Sequence, residues 1–115
     1  MQVANLLSEL DGMVSKGQIL EAIDAFFAGS VDTIEVGGAL TKTKNEKVGK
    51  LKEFLGGIQA VNGITLLRSA ISEDVSYSEF KMDFDMKDGS KILWHEIIRR
   101  EWKDGKVVHE QYFQN

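Results

Sequence analysis

The sequence predicts an α+β fold in which helices cover one face of an antiparallel sheet. Apolar residues recur at helical spacing in the first half of the chain, whereas the second half is rich in β-branched and aromatic residues. The later segments are separated by Asp-Gly pairs, which favour tight hairpin turns. With 115 residues, of which 43% are hydrophobic and 28% charged, we expect a single domain over residues 1–115.

Two amphipathic helices are predicted at the start of the chain. The stripe Val3, Leu6, Leu7, Leu10, Met13 and Val14 has the spacing of a helix with one buried face. Gly17 ends this pattern, and a second stripe runs from Ile19 to Phe27 before Gly29. A short turn is therefore expected to join the two helices.

A strand and a third helix are predicted next. Residues 30–36 are rich in β-branched side chains and lie between glycines, which is typical of a strand. Thr43 and Glu46 have the spacing of a capping box, and an apolar stripe follows from Val48 to Ile58. We expect the third helix to begin at this box.

Four consecutive strands are predicted after Asn62-Gly63. They cover Ile64–Ser72, Ser76–Met86, Lys91–Lys103 and Lys106–Gln114. Asp88-Gly89 and Asp104-Gly105 are interpreted as two-residue turns, because Asp-Gly tolerates the positive φ that such turns need. A two-residue turn at Glu73-Asp74 would place Arg68 opposite Glu79 outside and Ser69 opposite Ser78 inside.

Hairpin register then predicts which side chains point toward the helices. A two-residue turn at Asp88-Gly89 pairs Met82 with His95 and Phe84 with Leu93 on the apolar face. The same rule at Asp104-Gly105 places Arg99 opposite Glu110. The polar side chains expected to point inward are His95, Arg99, Glu110, Tyr112 and Gln114. Because buried charge needs a partner, Arg99 and Glu110 are expected to form a pair, as a structural element or as a ligand clamp.

The opposite face of the sheet is predicted to be unusually apolar for a monomer. The residues assigned to it are Trp94, Ile98, Trp102, Val107 and Phe113. Such a patch usually meets another chain, so we expect a homodimer through the outer sheet face. The alternative is a loop or bend of the same chain that covers these side chains.

Charge and composition exclude several classes of function. The net charge is −4, so no basic field is available to collect the phosphates of a nucleic acid. A cluster of five lysines is predicted to form a solvated helix face. Its members are Lys42, Lys44, Lys47, Lys50 and Lys52. The apolar runs are too short to span a membrane. The lack of cysteine and of a signal-like start favours a cytoplasmic setting.

No metal or cofactor site is expected. His95 and His109 are predicted on opposite faces of the sheet, so they cannot share a metal ion. Neither Gly37-Gly38 nor Gly56-Gly57 has the residue order of a phosphate-binding loop, and no dinucleotide fingerprint follows a strand.

Two long strings carry a resemblance to a known family. They are KGQILEAIDAFFAGSVDTIEVGG and KDGSKILWHEIIRREWKDGKVVHEQYFQN. With the helical segment between them they resemble the SnoaL-like branch of the nuclear transport factor 2-like superfamily over nearly the whole chain. The resemblance implies a cystatin-like cone, in which three helices pack on a strongly bent antiparallel sheet around an internal pocket. Activities in that superfamily range from polyketide cyclisation and isomerisation to binding alone, so the fold does not define the function.

The resemblance also implies candidate site residues. Aligned without gaps on the ketosteroid isomerases, Glu35 falls where their aspartate base lies, at the end of the first strand. Their first-helix tyrosine has no counterpart here. SnoaL-type cyclases use an acidic residue and a histidine in the cone, roles that His95 with Glu35 or Glu110 would fill.

The function predicted is the binding of a small, mostly apolar organic molecule that bears a carbonyl or carboxylate. If the protein is catalytic, proton transfer would use Glu35 as base and His95 as acid or relay, with Arg99 and Tyr112 stabilising negative charge on oxygen. Glu110 and Gln114 complete the predicted ligand-binding set. The alternative is a non-catalytic binding or interaction module whose cone is filled by its own side chains.

Overall fold

A computed structural model describes residues 2–114. The elements within this range are α1 (Val3–Ser15), α2 (Ile19–Phe26), β1 (Phe27–Ile34), β2 (Leu40–Lys42), α3 (Lys44–Gly56), β3 (Ile58–Ser72), β4 (Val75–Met86), β5 (Lys91–Lys103) and β6 (Lys106–Gln114). The strands form one sheet in the order β2-β1-β6-β5-β4-β3. The predicted α+β class is confirmed. The sheet is mixed rather than antiparallel throughout, because β1 runs parallel to β6.

Local chemistry explains where the helices begin and end. Leu7, Leu10 and Val14 form the buried stripe of α1. Gly17 follows this helix with φ +80°, a conformation that glycine adopts without strain. At the start of α3, the backbone N–H of Glu46 donates to the Thr43 hydroxyl at 3.3 Å, so the Thr43 half of the predicted capping box is confirmed.

β1 and β3 begin several residues earlier than predicted, because glycine does not end a strand when it lies at an irregularity in the ladder. Gly29 lies inside β1, where the pairing with β6 is irregular between Phe27 and Asp32. Gly63 lies inside β3, where the pairing with β4 shifts between Val61 and Gly63. Both strands absorb the glycine as a local bulge.

The hairpin between β4 and β5 differs from the prediction by one residue. Its turn contains three residues, Lys87 to Gly89, rather than two: the Met86 N–H donates to the Ser90 carbonyl at 2.9 Å. The Gly89 N–H donates to the Met86 carbonyl at 3.0 Å, and Gly89 has φ +88°. This is a type I turn followed by a left-handed glycine, the usual geometry of a three-residue hairpin. Asp85, not Met86, therefore faces Lys91.

A shift of one residue reverses the two faces of β5. The side chains that point toward the helices are Trp94, Glu96, Ile98, Arg100 and Trp102, which are partly or fully buried. Those that point away are Leu93, His95, Ile97 and Arg99. The predicted inward orientation of His95 and Arg99 is therefore wrong.

The other two turns have the predicted length. Lys103 pairs with Lys106 across Asp104-Gly105, which have φ +51° and +78°. A bulge between Glu101 and Trp102 then shifts the ladder, so Arg100 rather than Arg99 lies opposite Glu110. At Glu73-Asp74 the predicted register is confirmed, with the Arg68 Nε 2.9 Å from the Glu79 Oε1.

The residues predicted to form a dimer interface lie mostly inside the protein. Ile98, Trp102 and Val107 are buried in the core, and Trp94 packs against it. The Trp102 ring meets Phe26 edge to face at 6.3 Å, and its indole N–H donates to the Ser76 hydroxyl at 3.0 Å. Of the predicted set, only Phe113 is exposed. The reversed faces of β5 explain why Trp94, Ile98 and Trp102 point inward rather than outward. Val107 points inward as well, because it pairs with Trp102 across β5 and β6.

Candidate functional site

A cavity of ≈ 510 Å³ lies between the helices and the inner face of the sheet. This volume is within the range of small-molecule sites. The apolar side chains that line it are Leu10, Val14, Ile19, Ala22, Ile23, Phe27, Val36, Leu51, Phe54, Met82, Phe84, Trp94 and Ile98. The alternative prediction required Phe26, Met82 and Phe84 to fill the cone. The cavity is instead open.

Three aromatic rings form one wall of the cavity. Phe54 of α3 stacks on Trp94 of β5 with 5.2 Å between ring centroids. Phe84 meets the edges of both rings, at 6.0 Å from Phe54 and 6.1 Å from Trp94. Offset stacking and edge-to-face contacts of this kind hold the rings in place and present a flat apolar surface.

A buried ion pair supports the sheet side of the cavity. Arg100 donates from Nη1 to the Asp11 Oδ1 of α1 at 2.9 Å, and Ser78 donates to the other oxygen of Asp11 at 2.5 Å. The Arg100 Nε lies 3.7 Å from the Glu110 Oε2. This nitrogen has no hydrogen-bond partner among the described residues. The guanidinium is thus held mainly by Asp11.

A second cation, Lys47 of α3, connects the two carboxylates nearest to it. Its Nζ lies 3.2 and 3.1 Å from the two carboxylate oxygens of Glu35 and 3.6 Å from the Glu110 Oε1. It also lies 4.5 Å from the centroid of the Tyr112 ring, within cation–π range. Thr33 donates to Glu110 at 3.1 Å. Lys47 is almost fully buried, and its charge is compensated by these two carboxylates.

Glu96 differs from the other acids of the cavity. Burial raises the pKa of its carboxyl, and the Glu110 carboxylate raises it further, which outweighs the hydrogen bond from Gln114 and the charges of Lys47 and Arg100. The Gln114 amide donates to the Glu96 Oε2 at 2.9 Å. Burial also raises the pKa of Tyr112 well above its usual range, with Glu110 and Glu96 adding to the shift. Tyr112 therefore keeps its hydroxyl proton at neutral pH, and Glu96 is more readily protonated than an ordinary glutamate.

Four of the six predicted site residues line the cavity. They are Glu35, Glu110, Tyr112 and Gln114. Glu35 lies just after β1, where the Thr41 hydroxyl donates to its Oε2 at 2.7 Å. The structure thus brings together the acid implied by the resemblance and three side chains of β6. Their roles stay predictions.

The other two predicted residues lie on the outer face of the sheet. His95 contacts Glu79, with 2.6 Å between the ring Nε2 and the carboxylate. Arg99 donates to Glu101 at 2.7 Å, and this hydrogen bond, with one involving Tyr77, raises the pKa of its guanidinium. Both predicted roles in the cavity are corrected by the one-residue shift in β5.

Three functional candidates were missed, two of them because of the same shift in β5. Glu96 and Arg100 take the inward positions that the shorter turn assigned to His95 and Arg99. Lys47 belongs to the cluster predicted to be a solvated helix face, yet it is buried. One signal pointed to Lys47: it lies one residue before Val48 and four before Leu51, close to the apolar stripe of α3.

The described residues contain no group of three or more His, Cys, Asp or Glu side chains that could hold a metal ion. No helix among residues 2–114 is both long and apolar enough to cross a membrane.

Comparison with solved structures identifies the fold. A provisional SnoaL-like polyketide cyclase from Mesorhizobium loti superposes with a TM-score of 0.88 at 18% identity, covering 98% of this chain and 99% of that one. An NTF2-like protein of unknown function from Burkholderia pseudomallei gives a TM-score of 0.82 at 10% identity, with 100% and 92% coverage. The chain has the SnoaL-like, nuclear transport factor 2-like fold. This confirms the fold that the resemblance in the sequence implied.

AclR from Streptomyces galilaeus, provisionally a hydroxylase, shares the SnoaL-like fold with a TM-score of 0.78 at 13% identity, covering 97% of this chain and 87% of that one. No family model matches the sequence, and no curated protein is significantly similar to it. The different activities named for proteins of this fold show that the cavity residues, and not the fold, must support a function.

Proposed function

We propose that this SnoaL-like protein binds a small, mostly apolar organic molecule in its cavity and transfers a proton on it. The observation that carries the proposal is the pairing of an open apolar cavity with Glu96, an acid whose pKa is raised by burial. A perturbed acid in a concave apolar site is a recognised marker of function. The aromatic wall favours a planar ligand body.

The chemistry follows from which groups carry protons. The Tyr112 hydroxyl can donate to a ligand oxygen, and so can Glu96 when it is protonated, which its raised pKa favours; such donors stabilise negative charge that develops on that oxygen. A tyrosine and a protonated carboxylic acid form the oxyanion hole of ketosteroid isomerase, where they stabilise an enolate. Glu35, oriented by Lys47 and Thr41, supplies the carboxylate that would take the proton from carbon.

The comparisons support this class of reaction without naming a substrate. One of the similar structures carries a provisional polyketide cyclase assignment, and another is described as having a ketosteroid isomerase-like fold. Aldol cyclisation of a polyketide and isomerisation of a ketosteroid both begin with loss of a proton next to a carbonyl. A planar ketone is therefore a suitable first probe.

The test uses 2-acetylnaphthalene, a planar aryl methyl ketone. Binding is expected to quench the fluorescence of Trp94, which lines the cavity. In deuterated water, catalysed exchange of the methyl protons next to the carbonyl is measured by NMR. Glu96→Gln and Tyr112→Phe should slow the exchange by about a hundredfold or more, the usual scale for loss of a general acid or an oxyanion donor.

The matched control is Glu101→Gln, which removes a carboxyl from the outer face of the same strand and should leave the exchange unchanged. Binding without exchange in the wild-type protein would favour the alternative function, a non-catalytic binding module. Absence of both binding and exchange for this ketone and a panel of related ketones and acids would refute the proposed function.

We also propose that the protein is a homodimer, through the true outer face of the sheet. Leu93, Ile97 and Phe113 point outward and are 68%, 41% and 47% exposed, and Ile97 and Phe113 are direct neighbours across β5 and β6. An apolar cluster of this kind on a sheet face usually meets another chain. Leu93→Glu should reduce the mass measured by light scattering to that of a monomer. Val61→Glu, which changes an exposed apolar residue of β3 elsewhere, should not.

A further inference from the structure

A lysine-rich stretch in β2 and α3 indicates the charge of the ligand that the cavity binds. Residues 40–56 contain five lysines and two glutamates, although the whole chain has a net charge of −4. Two of the lysines, Lys47 and Lys50, line the cavity. They are three residues apart on α3, so they share one face of the helix.

Only Lys50 is suited to meet a ligand directly. Lys47 is buried between Glu35 and Glu110, whereas the side chain of Lys50 is half exposed at the cavity mouth. The Lys50 ammonium donates to the Thr41 hydroxyl at 2.8 Å, and its nearest carboxylate oxygen, on Glu46, lies 3.6 Å away. Because an ammonium has three donors, it can also bind an acceptor that enters the mouth.

The inner end of the cavity, unlike the mouth near Lys50, disfavours a negatively charged group of the ligand. Its cations, Lys47 and Arg100, are compensated by Glu35, Glu110 and Asp11. A further negative charge there would face these carboxylates, and like charges in a buried site repel strongly. Glu96 already shows this effect, since the Glu110 carboxylate is one cause of its raised pKa. The inner end therefore suits a neutral oxygen.

We propose that the natural ligand is an organic anion, with a neutral carbonyl oxygen at the inner end of the cavity and a carboxylate bound by Lys50 at its mouth. The inference rests on the proposed function and extends it by naming the ligand class. The aromatic wall of Phe54, Phe84 and Trp94 holds the planar apolar body between the two ends. Lys50 is then a determinant of specificity that does not take part in the proton transfer.

The test compares two probes that differ only in one carboxylate. They are 2-acetylnaphthalene and 6-acetyl-2-naphthoate, and their dissociation constants are measured by titration calorimetry with the wild-type protein. The naphthoate is expected to bind about fivefold more tightly, the scale of one partly exposed ion pair. Lys50→Gln should remove this preference without changing the affinity for the neutral ketone.

Two further variants control the experiment. Lys52→Gln removes the same charge from an exposed position of α3 that does not line the cavity, so the preference should persist. Glu46→Gln removes the carboxylate that competes for Lys50 and should strengthen naphthoate binding. Equal affinity of the wild-type protein for both probes, or an equal loss in the two lysine variants, would overturn the anion assignment while the proposed function stands. Failure of both probes to bind would refute this assignment together with a ketone site.

Discussion

The buried pair of Asp11 and Arg100 gives the sharpest prediction of stability. Replacing Asp11 with asparagine keeps the shape of the side chain but leaves the Arg100 guanidinium with Glu110 as its nearest carboxylate, at 3.7 Å. Removing one partner of a buried pair costs about 3–5 kcal/mol, because the other charge stays desolvated. We expect the low end, about 3 kcal/mol, since the asparagine oxygen still accepts one hydrogen bond.

This loss corresponds to a large change in melting temperature. An unfolding entropy of about 2.1 cal/mol/K per residue gives about 0.24 kcal/mol/K for 115 residues, so Asp11→Asn should lower the melting temperature by about 12 °C. Circular dichroism during heating and urea denaturation measures both quantities. Asp24→Asn is the control, since Asp24 is 88% exposed and its pair with Lys44 is worth little. A loss for Asp11→Asn no larger than that of the control would refute the reasoning.

The remaining predictions concern single side chains. Because burial raises the pKa of Glu96, its carboxyl favours folding only while it is protonated, and this contribution is lost as the pH rises through the folded pKa. Glu96→Gln should therefore gain melting temperature relative to wild type as the pH rises above the ordinary glutamate range. Gly89→Ala should lower the free energy of unfolding by about 1 kcal/mol, because alanine is strained at φ +88°. Gly49→Ala, inside α3, should raise it by about 0.5–1 kcal/mol. Equal effects of the two substitutions in urea denaturation would contradict this reasoning. Ser76→Ala should cost about 1–2 kcal/mol by leaving the Trp102 indole N–H unpaired, and a neutral result would show that another acceptor replaces the hydroxyl.

Helical spacing and turn chemistry were sufficient to predict the fold class. The stripe of α1, the Thr43 cap and the full extents of β5 and β6 follow from local sequence. The three-residue strand β2 was missed, because so short a segment carries no periodic signal. The parallel pairing of β1 with β6 joins residues about 80 positions apart, and no local pattern reports it.

The site was predicted only in part because one turn decided it. Asp88-Gly89 suits a two-residue turn and also a three-residue turn that ends in a left-handed glycine. The alternation of apolar and polar residues does not distinguish the two turn lengths, because β5 has large apolar residues at both odd and even positions, such as Leu93 and Trp94. The choice depends on tertiary partners: Asp11 on α1 pairs with Arg100, and a charged pair this distant in the chain is not visible locally.

The bulges of β3 have a consequence for how the edge of the sheet avoids pairing with the strands of other molecules. β3 is an edge strand of 15 residues whose exposed Leu66, Leu67 and Ile71 would otherwise suit the growth of a fibril. Its ladder with β4 is displaced at three places along its length. An incoming straight strand could match its free backbone groups only over short stretches between these kinks. The same irregularities that shape the sheet thus protect its most vulnerable border.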